Sequence, residues 1–241
     1  MLALRAVSVV SQENQAPRSH DLYMFLKLLH RLRASWEYRV LNNSRRMRFI
    51  LSCWFHGVEL VLGRDVRFHH PVRLWGSGGG KIIIEDGVSF AFDGGGRWYG
   101  PIGIEMRDRG AELRIGQGCV IMRAVQIVCF AKITLGPETT IGTGCFLLDS
   151  DVHDFTPGAW DKPARCGAIV LGKRVHLCPE VTILRGVSVG EETLVGNKSV
   201  VQKTLPARCV AAGNPARVLL HYQANETEIG PGKTREAQFQ S

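Results

Sequence analysis

Residues 171–217 contain the sequence that decides the fold: LGKRVH, LCPEVT, ILRGVS, VGEETL, VGNKSV and VQKTLP, followed by ARCVAAGNPAR. The first place of each six-residue unit is aliphatic: Leu171, Leu177, Ile183, Val189, Val195 and Val201. The fifth place is small or aliphatic: Val175, Val181, Val187, Thr193, Ser199 and Leu205. A helix requires a period near 3.6 and a half-buried strand a period of 2. A fixed period of six is typical of a parallel β-helix, in which each hexapeptide forms a short strand and a corner.

The first and fifth places of each unit are expected to point into the interior. Glycine takes the second place at Gly172, Gly190 and Gly196. We expect these glycines at corners, because glycine permits backbone angles that a side chain would penalise. A set of β-hairpins with apolar alternation is the alternative interpretation, and six consecutive matches favour the β-helix over it.

The same stretch resembles the hexapeptide-repeat acyltransferases. The GNPAR run at Gly213–Arg217 is similar to the sequence with which many of them leave the last coil. The maltose- and galactoside-type sugar O-acetyltransferases are the most similar group. The resemblance covers 115–219 well and the earlier chain loosely. It implies an all-β fold, a left-handed parallel β-helix. The helical spacing of Leu22, Phe25, Leu26, Leu29 and Leu32 adds an N-terminal helical segment to this prediction. The period alone does not give the handedness, since crossovers between parallel strands are usually right-handed.

Composition limits the classes of partner and the cellular compartment. The 241-residue chain is 45% hydrophobic and 22% charged, with a net charge of +8. This charge suits an anionic membrane surface or a phosphorylated ligand. A nucleic-acid partner is not expected, because no Lys/Arg-rich block or aromatic RNA-binding motif occurs. The seven cysteines lack a close pairing pattern, and Cys119 and Cys145 fall at inward fifth places. They indicate a reduced, cytoplasmic setting. The inner face of the membrane is a second candidate location. No metal site is expected, because no C-x-x-C spacing occurs.

The chain divides into four predicted regions. They are a loose N-terminus (1–20), a helical cap (21–58), the β-helix domain (59–219, with a loop at 148–168) and a mobile tail (220–241). No signal peptide is expected, since Arg5 interrupts the first apolar run. The helical region is strongly basic. A cap over the first coil is favoured, because repeat proteins cover their ends. Peripheral membrane contact through these helices is the alternative.

The loop at 148–168 contains the candidate catalytic base, His153. An insertion in a repeat fold leaves the coil as a loop, often on the binding side. A neutral imidazole, which ordinarily titrates near pH 6.5, can accept a proton from a hydroxyl at neutral pH. In the resembling enzymes a histidine at the matching place is the general base. Of the flanking Asp149, Asp151 and Asp154, Asp151 is expected to hold the other ring N–H.

The resemblance also implies acetyl-CoA as the acyl donor and a homotrimer with the donor groove between subunits. The coenzyme phosphates require cations near the last coils. The predicted coenzyme-binding residues are Cys178, Asn197, Lys198, Gln202, Lys203 and Arg217.

The predicted function is the transfer of an acetyl group from acetyl-CoA to a sugar hydroxyl. The basic helical N-terminus differs from the short maltose-type enzymes, so a surface polysaccharide or a lipid-linked saccharide is a candidate acceptor. A non-catalytic β-helix used for assembly or binding is the alternative class, and it would not need His153. A zinc carbonic-anhydrase-like enzyme is disfavoured, because the resembling anhydrases use three histidines and no H-x-x-x-x-H occurs after residue 100.

Overall fold

The computed structural model describes residues 39–76, 79–91, 100–154, 156–159, 162 and 165–222. The predicted loose N-terminus, residues 21–38 of the predicted cap and residues 223–241 of the predicted tail lie outside the described residues. The chain separates into two compact units, 1–40 and 41–241.

One helix and twenty strands make up the described chain. The helix, α1, is described from residue 39 and ends at residue 55. The first ten strands are β1 (Glu59–Leu62), β2 (Arg67–Phe68), β3 (Val72–Trp75), β4 (Lys81–Ile84), β5 (Ser89–Phe90), β6 (Ile102–Met106), β7 (Glu112–Ile115), β8 (Val120–Ile121), β9 (Gln126–Cys129) and β10 (Lys132–Leu135). The others are β11 (Thr140–Ile141), β12 (Phe146–Leu148), β13 (Ile169–Leu171), β14 (His176–Leu177), β15 (Thr182–Leu184), β16 (Ser188–Val189), β17 (Leu194–Val195), β18 (Val200–Val201), β19 (Cys209–Gly213) and β20 (Ala216–His221).

The strands form three sheets, and successive strands enter the sheets in turn. Sheet S1 has the order β1-β4-β7-β10-β13-β16, sheet S2 the order β2-β5-β8-β11-β14-β17-β19-β20, and sheet S3 the order β18-β15-β12-β9-β6-β3. All pairings are parallel except that between β19 and β20. Neighbours in one sheet are therefore one coil apart, about 4.7–4.9 Å. This is the predicted parallel β-helix.

Side chains at the first and fifth places of the hexapeptides fill the interior, as the sequence pattern predicts. The first-place side chains from Leu171 to Val201 and the fifth-place side chains from Val175 to Leu205 are all buried. Cys119 and Cys145 are also buried, which raises the pKa of their thiols to about 11 and about 12. They are core residues, as predicted.

Helix α1 packs on the interior of the first coil. Phe49 is fully buried, and its ring centroid lies 5.6 Å from that of Phe68 and 6.4 Å from that of Phe90. The side chain of Asn42 accepts a hydrogen bond from the Phe68 amide at 2.6 Å, and Arg45 donates to the His69 carbonyl at 2.5 Å. The opposite face of the helix is exposed. No helix in the described part of the chain is long and apolar enough to cross a bilayer.

The expected role of the second-place glycines is wrong. Gly172 and Gly190 are not among the residues with positive φ; instead, a Cβ on Gly190 would lie 2.2 Å from the Ala207 nitrogen of the next coil. Glycine is needed here because two backbones approach closely. The left-handed conformation occurs at the fourth place, and non-glycine side chains adopt it: φ is 54° at Arg174 and 61° at Glu180.

Candidate active site

The S3–S1 edge is the line of turns that follow β3, β6, β9, β12, β15 and β18. The loop containing His153 leaves the stack at this edge, between β12 and β13. Because coils stack in register, the turns above and below the loop are one coil away. These are the turn at Phe130–Ala131, before the loop, and the turn at Arg185–Gly186, after it.

The neck of the loop is a short antiparallel pairing. Ser150 and Cys166 form an antiparallel bridge. The Asp151 amide donates to the Arg165 carbonyl at 3.0 Å, and the Gly167 amide donates to the Asp149 carbonyl at 2.8 Å. The two strands of the neck therefore leave and re-enter the stack side by side.

Asp149 ties the neck to the preceding coil. Its side chain is fully buried and accepts hydrogen bonds from three consecutive backbone amides: Phe130 at 2.7 Å, Ala131 at 2.8 Å and Lys132 at 2.8 Å. A buried carboxylate is tolerated when such donors satisfy it. Burial raises the pKa of the adjacent Cys129 thiol, and the Asp149 charge adds to that rise. Asp149 is a structural anchor, a role that the sequence analysis did not identify.

Arg185 ties the neck to the following coil. Its Nε lies 2.5 Å from Oδ1 of Asp151, and the next amide, that of Gly186, donates to the Gly167 carbonyl at 2.8 Å. The adjacent Asp151 carboxylate raises the pKa of the Arg185 guanidinium. This residue could not be predicted from the sequence, because an arginine at the outward third place of a hexapeptide looks like any solvated surface residue.

His153 stands on a strained turn directly beyond the neck. Its amide donates to the Asp151 carbonyl at 2.7 Å, which closes a γ-turn centred on Val152. The φ of Val152 is 63°, a rare value for a β-branched residue. The Val152 amide donates to Oγ of Ser150 at 3.0 Å, and this bond supports the turn. The His153 side chain is exposed to solvent. Backbone strain of this kind is concentrated at functional sites.

The structure brings Asp151 and His153 together through the backbone turn. The ion pair of the Asp151 carboxylate is with Arg185. A direct bond from this carboxylate to the imidazole stays a prediction. The third flanking acid, Asp154, accepts a hydrogen bond from the Thr156 amide at 2.9 Å. Hydrogen bonding from the Thr156 side chain, and then from its amide, lowers the pKa of the Asp154 carboxyl.

The six predicted coenzyme residues lie at two different edges and on the last strand. Gln202 and Lys203 follow β18 and lie on the S3–S1 edge, as the loop does. The other edge, S2–S3, has Cys178 after β14 and Asn197 and Lys198 after β17. Arg217 lies in β20 and is exposed. A single chain therefore does not gather these residues at one place. In the described part of the chain, no group of three His, Cys, Asp or Glu side chains is arranged to hold a metal ion.

No family model matches the chain. A curated relative, WbbJ of Escherichia coli K12, is provisionally named a lipopolysaccharide biosynthesis O-acetyl transferase. The two are 31% identical over 114 residues, which is 44% of this chain and 58% of WbbJ. The chain thus spans little more than half the length of this relative.

Solved structures resemble the fold over most of its length. NeuO, a polySia-specific acetyltransferase, is 26% identical with a TM-score of 0.50, over 72% of this chain and 82% of NeuO. The hexapeptide-repeat acetyltransferase VCA0836 of Vibrio cholerae, complexed with acetyl coenzyme A, is 20% identical with a TM-score of 0.51, over 74% of this chain and 78% of its own.

These similarities confirm the predicted fold and resemblance. The fold is the left-handed parallel β-helix, and the chain is similar to hexapeptide-repeat O-acetyltransferases.

Proposed function

We propose that the protein transfers an acetyl group from acetyl-CoA to a hydroxyl of a saccharide, with His153 as general base. The observation that carries the proposal is the position of His153. It is exposed, it stands on a strained γ-turn, and the neck beneath it is anchored to the coil on either side through Asp149 and Arg185. A solvated surface histidine needs no such support.

The reaction requires one proton transfer in each direction. The acceptor oxygen attacks the carbonyl carbon of the thioester while the imidazole of His153 takes the hydroxyl proton. The carbon–sulfur bond then breaks, and the imidazolium returns the proton to the departing thiolate. The products are an acetyl ester and free coenzyme A, and His153 is neutral again. Asp151 is expected to orient the base and stabilise its charged form.

A homotrimer with the donor bound between subunits is part of the proposal. The division of the predicted coenzyme residues between two edges supports it, because one edge from each of two neighbouring chains would complete a groove. Lys203 and Arg217 are expected to face the phosphates. Light scattering should give three chains per particle, as in a closed cyclic oligomer. A monomer at micromolar concentration would contradict the groove between subunits.

The acceptor that we propose is a surface polysaccharide or a lipid-linked saccharide. The names of WbbJ, in lipopolysaccharide biosynthesis, and of NeuO, specific for polySia, support this class. We place the reaction in the cytoplasm, at the inner face of the membrane. Five cysteines, Cys53, Cys119, Cys129, Cys145 and Cys209, are buried thiols outside any disulfide, which supports a reducing compartment.

Contact with an anionic membrane surface through α1 follows from the same proposal. Its outward face carries Met47, Leu51, Trp54 and Phe55 at helical spacing, and the last two are 72% and 75% exposed. Arg46 and Arg48 lie beside them. Apolar side chains next to cations are typical of helices that lie in the membrane interface.

Vesicle flotation tests the membrane contact. The chain should float with phosphatidylcholine vesicles only when phosphatidylglycerol is added, and added salt should weaken the binding. Trp54→Ser with Phe55→Ser should abolish flotation. Leu219→Ser, at an exposed leucine on β20, is the matched control and should not. Equal binding to neutral vesicles would contradict the electrostatic part.

The activity itself is tested by thioester cleavage. We expect coenzyme A release from acetyl-CoA that depends on a saccharide, with a panel of free, polymeric and lipid-linked sugars as acceptors. Mass spectrometry should find a product heavier by one acetyl group, and hydroxylamine should remove that group as expected for an ester. If trimers form and bind acetyl-CoA but no panel member stimulates release, the assembly or binding module becomes the better interpretation.

A further inference from the structure

Arg185 joins two parts of the molecule that are distant in sequence but adjacent in the stack. It follows β15, one coil beyond the loop, and its Nε lies 2.5 Å from Oδ1 of Asp151 in the loop neck. Both side chains are 34% exposed. A partly exposed ion pair contributes little to stability, typically about 0.2–1 kcal/mol. Its position, beneath the strained turn, is the informative feature.

The position of Asp151 determines the position of His153. The Asp151 carbonyl accepts the His153 amide at 2.7 Å, so the γ-turn is built on Asp151 itself. The Val152 backbone is held at a φ of 63°. A strained turn persists only when its surroundings fix it. The Asp149 carboxylate binds the neck to the preceding coil. Arg185, on the following coil, binds Asp151, the residue from which the turn starts.

We propose that Arg185 is a positioning residue: through its ion pair with Asp151 it fixes the γ-turn and sets both the location and the charge balance of the His153 imidazole. The inference deepens the proposed function and rests on the role of His153 as base. Arg185 itself does not exchange a proton.

The ion pair has a second consequence for the base. Among the described residues, the charged or titratable groups around the neck are Asp149, Asp151 and Asp154 on the outgoing side, Arg165 and Cys166 on the returning side, Cys129 on the preceding coil and Arg185 on the next. Removing the Arg185 cation leaves the Asp151 carboxylate without its counter-charge, two residues from the imidazole. An unpaired anion favours the imidazolium. Titration of His153 should therefore move to higher pH.

The test uses Arg185→Gln in the full chain with two independent measurements. The first is an NMR titration of the His153 ring, assigned by comparison with His153→Gln; its midpoint should move to higher pH than in the wild type. The second is saccharide acetylation. The kcat should fall by about 10- to 100-fold, because small displacements of catalytic groups have effects of that size. The KM for acetyl-CoA should not change, and the acid limb of the pH–rate profile should shift upward with the NMR midpoint.

Two further variants separate positioning from general stability. Arg185→Lys keeps the charge, so it should keep the wild-type midpoint and recover most of the lost turnover. Arg185→Met, which removes the charge and keeps an apolar stem, replaces the Gln variant if that variant melts too low to measure. Arg174→Gln removes an exposed arginine that pairs with Glu138 and Glu192. It lies at the S1–S2 edge after β13, so its loss should leave the midpoint and the rate unchanged.

An unchanged midpoint together with an unchanged rate in Arg185→Gln would overturn the proposal. A fall in kcat no larger than that of Arg174→Gln would also overturn it. A shifted midpoint with normal acetylation has a different meaning. The link from Arg185 to His153 then stands, and it is the proposed role of His153 as base that fails.

Discussion

The regular coils and the loop at the S3–S1 edge hold their backbone in place in two different ways. In the six coil units from Leu171, one solution recurs: an inward first place, an inward fifth place and, in the first five units, a fourth place with positive φ. In the loop neck, each contact occurs once, such as the three amides on Asp149 and the ion pair of Arg185. Repetition gives redundancy, so stability is spread over many residues. Single contacts give precision, so chemistry should depend on very few residues.

The largest expected effect comes from the tip of the turn. His153→Ala should lower kcat by about 10²–10⁴-fold, because that is the usual contribution of a general base. Acetyl-CoA should still bind, and the melting temperature should stay near that of the wild type. In the wild type the rate should fall at low pH, as the imidazole takes up a proton and can no longer accept one.

Asp151→Asn is the companion of that variant. It should cost less turnover than His153→Ala, because Asp151 orients the base and does not replace it. If His153→Ala keeps nearly the wild-type kcat on the true acceptor, the hydroxyl proton leaves by another route and the loop is not the chemical region.

The corresponding change in a coil should affect stability and leave the chemistry intact. Leu177→Ala removes a fully buried first-place side chain and should lower the free energy of unfolding by about 2–5 kcal/mol. Chemical denaturation measures the loss, and kcat per folded molecule should be unchanged. His176→Ala, the exposed neighbour, is the control and should stay within about 0.5 kcal/mol. An equal fall in the free energy of unfolding for the two variants would show that the interior side chains are not the main source of stability.

Asp149→Asn tests the junction between the two regions. One carboxylate oxygen becomes an amide nitrogen, so at least one of the three backbone amides loses its acceptor. An unsatisfied buried donor costs about 1–3 kcal/mol. Asp154→Asn, which keeps the oxygen facing Thr156, should have almost no effect on denaturation. A normal stability for Asp149→Asn would mean that the neck is held without this anchor.

The smallest expected effect concerns donor binding. Lys203→Ala should raise the KM for acetyl-CoA by up to about fivefold and leave kcat nearly unchanged, since exposed ion pairs contribute roughly 0.2–1 kcal/mol. Lys173 occupies the same third place of an earlier hexapeptide, so Lys173→Ala is the matched control and should leave the KM unchanged. A fall in kcat with constant KM would give Lys203 a different role.

The sequence predicted the coils well because their pattern is periodic. The interior positions from Leu171 to Leu205 follow from spacing alone, since each place recurs six times. The glycines were misinterpreted for a physical reason. The period shows where glycine occurs, but the approach of Ala207 to Gly190 depends on the stacking of the next coil.

The candidate site was predictable only in part. The break in register located the loop, and chemistry selected His153 within it. The roles of Asp149 and Arg185 could not be predicted, because their partners lie on other coils. Asp149 binds the Phe130 amide, 19 residues earlier, and Arg185 binds Asp151 across the loop; no local pattern indicates either contact. Contacts between stacked coils require the three-dimensional register.

The reversal of the chain at its C-terminal end has a consequence for polymerisation. A parallel stack could in principle grow without limit, because each coil presents a template for the next. Here β20 runs antiparallel to β19 and covers the end of S2, while β16 and β18, which end the other two sheets, are two residues long. A second molecule therefore meets a reversed strand and two very short edges. Because α1 covers the first coil, we expect a chain truncated before β20 to pair through its last coil into larger particles of limited size in gel filtration, and the intact chain to keep its original size.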